Sequence, residues 1–231
     1  MKNNLKIYIV HYTKLTERKI YLDNLLKDKN IEFEYINEFD QEELNQNNIG
    51  HYYKDDEDLF NTKSKIWNKK ANKYYVLSNP EISCSIKHIE ALRKIGYSNK
   101  DFGLVLEDDA IPYNDDYLSQ IEKILSNTIK WDALFIGNGM GENFRNKKIS
   151  YKRFFPIKNI KVSHPATNCL EAYIIKKEIA KKIVDSILPF NLVIDWELAY
   201  QFYKLDLNIH WIKKPIFFQG TKENIYESTL R

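Results

Sequence analysis

The chain has few cysteines and no long apolar run. Its 231 residues include two cysteines, Cys84 and Cys169, without the Cys-x-x-Cys spacing of zinc or redox motifs. This excludes a disulfide framework and favours a reducing compartment. No apolar run reaches the length of a membrane span, and no signal-peptide pattern precedes the first strand pattern. We therefore expect a cytoplasmic protein.

Glycine and net charge are also low. With 7 glycines the chain has no P-loop, and the glycines of Gly137–Gly141 follow a strand pattern but have the wrong spacing for a dinucleotide loop, which favours a tight turn. The net charge of +3 is too small to predict nucleic acid as the main partner, although the lysines would permit peripheral contact with a membrane surface. The five histidines show no metal-ligand spacing.

Strand and helix patterns alternate at the start of the chain. Leu5–Tyr12 is rich in β-branched and aromatic residues, which predicts a strand. The leucines of 15–29 have helical spacing, with Thr16 as the expected cap, and Ile31–Ile36 alternates as a second strand. A strand–helix–strand unit of this kind implies a parallel sheet.

The remaining patterns predict one domain over residues 1–231. Residues 38–80 are polar and irregular, which indicates short helices and a possible excursion from the domain; the acidic run Asp55–Asp58 is best explained as a solvated face. The other segments have helical or strand periodicity. We predict helices over 81–95, 116–125, 178–188 and 195–205, and strands over 102–107, 132–137, 169–175 and 209–218.

Three consecutive carboxylates follow an apolar strand pattern. Phe102–Leu106 leads directly into Glu107, Asp108 and Asp109. Crowded like charges cost energy unless a cation lies between them, and oxygen ligands favour Mg²⁺ or Mn²⁺. The carboxyl end of a strand is also where ligands bind in an open α/β sheet. The pattern predicts a metal facing a phosphorylated substrate; the alternative is a surface turn before Pro112.

A second acidic group begins a predicted helix. Asp195 shares a helical stripe with Leu198 and Phe202, so it should point inward, whereas Glu197 lies off that stripe. An inward carboxylate near a metal can act as a general base. The alternative for Asp195 is an N-cap, and both roles can coexist. Arg18, after the first strand, could reach a phosphate or be a solvated helix charge.

These motifs, in this order, resemble glycosyltransferase family 25, which includes lipooligosaccharide β-galactosyltransferases and collagen galactosyltransferases. The resemblance covers nearly the whole chain. Leu104–Asp109 matches the family motif "VLEDD" and is the most specific part. The other segments that resemble the family are Ile7–Arg18 (the opening strand and turn), Pro80–His88 ("GEIGCxxSH", with Pro80, Ser83 and Lys87 departing from it), Ala172–Ile175 (similar to "AYLI"), Ile194–Trp196 ("(I/V)DW") and Gln219–Thr221 ("QGS", with Thr in place of Ser).

The resemblance implies a GT-A-type α/β fold, a Rossmann-like mixed, mostly parallel sheet flanked by helices. It implies a UDP-hexose donor, galactose or glucose, an acceptor hydroxyl on a glycan or hydroxylated protein, Mn²⁺ or Mg²⁺, and inverting transfer. Action at the inner face of the membrane would be compatible with this. The family roles fall on Glu107, Asp108 and Asp109 for metal, Tyr12, Thr13, Arg18, Glu107, Asp108 and Gln219 for the donor, and Asp195, with Glu197 in reserve, for the base.

Two other functions remain open from the residues. A nucleotidyltransferase also uses strand-end carboxylates with a metal, but releases pyrophosphate in place of UDP. A catalytically silent protein of the same fold would bind the sugar nucleotide without turnover.

Overall fold

The structure is a computed structural model that describes residues 4–66, 74–126, 130–138, 151–152, 159–161 and 170–229. Its main sheet has eight strands in the order β2-β1-β3-β8-β5-β9-β7-β6. Of the first six strands in this order, only β8 runs against the others, so the sheet is mixed and mostly parallel. The strands of this sheet are β1 (Leu5–Val10), β2 (Glu32–Ile36), β3 (Phe102–Glu107), β5 (Ala133–Phe135), β6 (Tyr151–Lys152), β7 (Asn159–Lys161), β8 (Ala172–Lys176) and β9 (Ile209–Ile212).

Helices cover both faces of this sheet. Alternate residues of β1 point to opposite faces: Ile7 and Ile9 pack in one hydrophobic cluster, and Tyr8 and Val10 in the other. The first cluster includes residues of α1 and α5, the second those of α4, α6 and α7, so the fold has three layers. The helices are α1 (Thr16–Leu26), α2 (Gln46–Ile49), α3 (Glu57–Ser64), α4 (Asn79–Gly96), α5 (Tyr117–Leu125), α6 (Lys177–Ile187) and α7 (Ile194–Lys204).

The expected fold class is confirmed. β1, α1 and β2 form the predicted parallel βαβ unit, because β1 pairs with β2 in parallel. The described part of 38–80 holds two short helices, α2 and α3, as expected. Thr16 is the first residue of α1 and not its cap, since Leu15 occupies that position without a side-chain hydrogen bond.

The predicted last strand over 209–218 is wrong. It divides into β9 and a separate strand β10 (Phe217–Gln219), which pairs antiparallel with β4 (Ala110–Pro112) in a ribbon of two strands. The break includes Pro215, which lacks the backbone N–H that a continuous strand would use. This second ribbon carries the end of the chain back to the acidic triplet.

Several sequence segments lie outside the described residues. They include Cys169, most of the predicted glycine turn, and most of 141–162. Among the helices that the structure does describe, none combines the length and the apolar character needed to cross a bilayer.

Candidate active site

The acidic triplet lies at a junction of three segments that are distant in sequence. β3 ends at Glu107, and Asp108 and Asp109 form the turn into β4. β1 runs beside β3 with Val10 opposite Glu107, so the segment after β1 reaches the triplet. In the ribbon of two strands, Gln219 lies opposite Ala110, which brings residues 220–229 to the same place.

Asp108 is buried and fully engaged. One carboxylate oxygen accepts a hydrogen bond from Arg18 Nη1 at 2.6 Å; the other lies 2.9 Å from His11 Nδ1 and 3.0 Å from the backbone N of Tyr12. Burial alone would raise its pKa, but the hydrogen bond from His11 and the charge of Arg18 outweigh burial and hold the pKa of Asp108 below its ordinary value. These contacts involve both oxygens, so Asp108 holds the segment after β1 in place; its expected contacts with a metal and a donor stay a prediction.

Arg18 joins Asp108 to the end of the chain. It is 6% exposed, its Nη2 donates to the carbonyl of Glu227 at 2.5 Å, and its guanidinium lies 5.0 Å from the ring centre of Tyr226. Residues 220–229 are thereby fastened beside the triplet. Arg18 reaches the site as predicted, but in this arrangement its partners are protein groups.

Tyr12 and Thr13, the other donor residues expected after β1, differ in position. Tyr12 lines the pocket beside the triplet and donates its hydroxyl to Glu42 at 2.6 Å. Thr13 is exposed and donates through its backbone amide and its hydroxyl to Asp40. Thr13 thus orders the loop after β2, and it is not among the described residues that line the pocket.

Glu107 and Asp109 contact histidine, glutamine and threonine side chains, where Asp108 contacts Arg18. The Glu107 carboxylate lies 3.3 Å from His88 Nε2 and 3.4 Å from Gln219 Nε2; burial, with Asp109 and Asp195 nearby, raises its pKa well above the ordinary value. Burial also raises the pKa of Asp109, although Thr221 Oγ1 donates to its Oδ2 at 2.6 Å. Crowded carboxylates at a strand end are what a bound cation stabilises.

Helix α4 supplies residues that sequence patterns did not single out as site residues. Cys84 lines the pocket at partial exposure, and burial raises the pKa of its thiol well above the ordinary value, which disfavours the thiolate in the metal-free protein. His88 is fully buried, with Nδ1 3.3 Å from the hydroxyl of Tyr173, and burial lowers its pKa to about 4. The four-residue spacing of Cys84 and His88, which places both on one face of a helix, is the sequence feature that could have indicated them as site residues.

Lys87 lies between these two residues in sequence and contacts the loop after β2. Its ammonium binds the carbonyls of His11 at 2.5 Å and Asn37 at 3.4 Å, and pairs with Asp40. Lys87 is 2% exposed, so its charge is neutralised by Asp40 inside the protein, and its ammonium holds the end of β1 through the His11 carbonyl.

The two candidate bases at the start of α7 have different surroundings. Asp195 lies in the first helical turn, since Val193 holds the cap position, and lines a pocket with Glu107. Glu197 is fully buried; it accepts from Lys63 Nζ at 2.6 and 2.8 Å and from Gln201 Nε2 at 3.1 Å. Glu197 is thus held in the interior as an ion-pair partner of Lys63, a position that favours Asp195 over Glu197 as the base.

Two pockets adjoin at the triplet. The first includes Tyr12, Arg18, Asp108 and Asp109, the residues around the end of β1. The second includes Asp195. The residues common to both are Cys84, Glu107, Gln219, Thr221 and Ser228. We call these five residues the shared wall. Asp195 faces it from one pocket, and Tyr12 and Arg18, which are expected at a nucleotide, face it from the other.

The oxygen atoms of this wall and of the neighbouring Asp109 fit a divalent cation. Asp109 Oδ1 and Gln219 Oε1 are buried acceptors without a hydrogen-bond partner in the described structure. Such atoms are costly unless a ligand occupies them. Together with Glu107 they supply the carboxylate and amide oxygens that Mg²⁺ and Mn²⁺ accept.

Solved structures that are similar to this chain include the following two. The crystal structure of A197 from STIV is 13% identical, covers 91% of this chain and 82% of its own, and has a TM-score of 0.42. The crystal structure of S. aureus TarS 1-349 is 14% identical with a TM-score of 0.43; the match covers 97% of this chain and 62% of the TarS chain. At these scores the likeness supports no statement about function.

No curated protein sequence matches the chain at a significant level. The model of one protein family does match, namely Glycosyltransferase family 25 (LPS biosynthesis protein), over residues 4–198. That range includes β3 with the acidic triplet, α4 with Cys84 and His88, and Asp195. Since the match spans well over half of the chain, this protein belongs to glycosyltransferase family 25.

Proposed function

We propose that this glycosyltransferase moves a hexose, galactose or glucose, from a UDP-sugar to a hydroxyl of a glycan or hydroxylated protein, with inversion and with a divalent cation. The observation that carries the proposal is the shared wall: Glu107 and Gln219 line both the pocket around the end of β1 and the pocket that contains Asp195. A donor and an acceptor on either side of that wall would meet at the carboxylates.

The first pocket would hold the nucleotide. Tyr12 and the Asp108–Arg18 pair define the end of β1, so the surface that faces the nucleotide is rigid before the donor binds. Glu107, Asp109 and Gln219 would hold Mn²⁺ or Mg²⁺. Such an ion, when bound, offsets the negative charge that develops on a leaving diphosphate.

The second pocket would hold the acceptor. Its hydroxyl oxygen forms a bond to C1 of the donor sugar on the face opposite UDP, while the bond between C1 and the diphosphate oxygen breaks. Asp195 would take the hydroxyl proton, and UDP leaves with the bonding electrons. Lys222 lines this pocket, and its charge offsets a small part of the rise that burial causes in the pKa of Glu107.

The experiment is a product assay with UDP-galactose and UDP-glucose over a panel of acceptors, with and without Mn²⁺. We expect UDP, and not pyrophosphate, as the product. Asp195→Asn should retain UDP binding and lose about 10²–10⁴-fold in turnover, the usual contribution of a positioned base. Asp109→Asn should lose the cation-dependent part of UDP binding. The matched control is Asp185→Asn, an exposed aspartate on α6.

Release of pyrophosphate would favour the nucleotidyltransferase. Binding of UDP without turnover on any acceptor would favour a silent sugar-nucleotide-binding protein. Equal loss of binding and turnover in Asp195→Asn would make Asp195 a structural residue.

A further inference from the structure

The sulfur of Cys84, a ring nitrogen of His88 and a carboxylate oxygen of Glu107 lie close together at the shared wall of the two pockets. Cys84 and His88 lie four residues apart on one face of α4, and Glu107 ends the strand beside that helix. One ligand atom from each residue lies within 4.8 Å of the other two. This is close enough for three side chains to contact one ion with little movement.

Packing alone does not account for the arrangement. A core cysteine is fully enclosed by apolar groups, whereas Cys84 is partly exposed and lines both pockets. Asp109, whose buried Oδ1 has no hydrogen-bond partner in the described structure, lines the first pocket with Cys84 and Glu107, so the oxygen site proposed for Mn²⁺ adjoins this cluster.

The surroundings of His88 suit a metal ligand. Its Nδ1 lies 3.3 Å from the hydroxyl of Tyr173, and its ring stacks with the Tyr173 ring at a centroid distance of 6.0 Å. When Nδ1–H donates to that hydroxyl, the lone pair of Nε2 points to the side where Glu107 lies, 3.3 Å away. A second partner that fixes the tautomer in this way is usual for metal-binding histidines.

We propose that Cys84, His88 and Glu107 form a three-ligand site for a borderline transition-metal ion of the zinc type, with the fourth position open to the pockets. A thiolate and an imidazole favour Zn²⁺ and Co²⁺ over Mg²⁺, and three protein ligands with one open position are typical of non-structural zinc sites. Binding replaces the S–H proton of Cys84 by the metal and releases that proton to solvent.

The inference goes beyond the proposed function, since it requires neither a sugar nucleotide nor an acceptor. Because Glu107 also belongs to the oxygen ligands proposed for Mn²⁺, the two sites share one residue. Zinc at the mixed site is therefore expected to compete with Mn²⁺ for the chain.

The test is a Co²⁺ titration of the full, metal-free chain, followed by absorption spectroscopy. We expect a near-ultraviolet charge-transfer band from a thiolate–cobalt bond that saturates at one ion per chain. Zn²⁺ should abolish the band by displacement and Mg²⁺ should not. Cys84→Ser should remove it, while Cys169→Ser, the matched control for the other cysteine of the chain, should retain it.

Tyr173→Phe provides a variant that leaves all three ligands in place. Loss of the partner of Nδ1 should weaken Co²⁺ binding about 10–100-fold, the usual cost of removing such a partner. Asp195→Asn should keep the band even if it has no turnover, so failure of this site and failure of the proposed function are distinguishable. Absence of the band in the wild type, or its persistence in Cys84→Ser, would overturn the proposal.

Discussion

Two regions of this molecule handle buried carboxylates in opposite ways. In the first, which holds the buried ion pairs, Glu197 of α7 is paired with Lys63, and Asp108 at the end of β1 is paired with Arg18. At the shared wall, Glu107 and the neighbouring Asp109 contact histidine, glutamine and threonine side chains. The first region satisfies its charges within the chain; the second leaves them for a ligand.

This contrast separates structural from functional acids better than sequence position does. Asp108 and Asp109 are adjacent and both buried, yet the pKa of Asp108 is lowered and that of Asp109 is raised. Removing one charge of a buried ion pair should therefore destabilise the protein. Removing a carboxylate charge from the shared wall should stabilise the protein when no metal is bound.

The largest effect is expected for Lys63→Met. Lys63 and Glu197 are 4% and 0% exposed, so the variant would leave a buried carboxylate with only neutral partners. Breaking such a pair from one side costs about 3–5 kcal/mol. The measurement is urea unfolding, with Lys65→Met, an exposed lysine directly after α3, as the control.

The double variant Lys63→Met/Glu197→Gln sharpens this result. It removes both charges together, and we expect it to recover most of the lost stability and to retain transferase turnover. A folded double variant without turnover would return Glu197 to the list of candidate bases.

A smaller loss is expected for Asp108→Asn. The amide keeps the shape of the side chain, but the buried guanidinium of Arg18 loses its anionic partner at 2.6 Å. The expected cost is about 1–3 kcal/mol, because Arg18 still binds the Glu227 carbonyl. Urea unfolding measures it against the exposed Asp115→Asn, and a gain in stability would contradict the contrast drawn above.

Local patterns were sufficient for much of the fold and part of the site. Strand alternation and helical spacing predicted the βαβ unit, α4 and α7, and three carboxylates after an apolar strand marked the position of the wall. The stripe of Leu198 and Phe202 placed Asp195 on an inward face, where it lines a pocket. These features depend on neighbours within one element.

Pairings between distant segments were not predictable in the same way. Lys63 and Glu197 are 134 residues apart, and Glu197 lies off the apolar stripe of α7, so helical periodicity alone placed it outside. α3 covers that side and brings Lys63 with it. Arg18 and Glu227 are 209 residues apart and meet only because the β4–β10 ribbon returns the chain end to β1.

The smallest effect, and the one with opposite sign, is expected for Glu107→Gln in the metal-free protein. The folded-state pKa of Glu107 is raised, so near neutral pH its ionised form disfavours the fold. The amide removes that charge and can donate to the unpartnered Oε1 of Gln219. We expect a gain on the order of 1 kcal/mol near pH 8.

The pH dependence of this gain follows from linkage. Above the unfolded-state pKa, about 4.3 for Glu, and up to the raised folded-state pKa, the folded wild type binds a proton that the unfolded chain does not. Wild-type stability should therefore fall as pH rises through that window, and Glu107→Gln should lack this contribution. Thermal unfolding at several pH values measures the stability of both proteins.

Added Mn²⁺ or Zn²⁺ should stabilise the wild type more than the variant, because a ligand that binds only the folded state adds to its stability. If Glu107→Gln were instead destabilising without metal, Glu107 would be a structural acid of the same kind as Asp108.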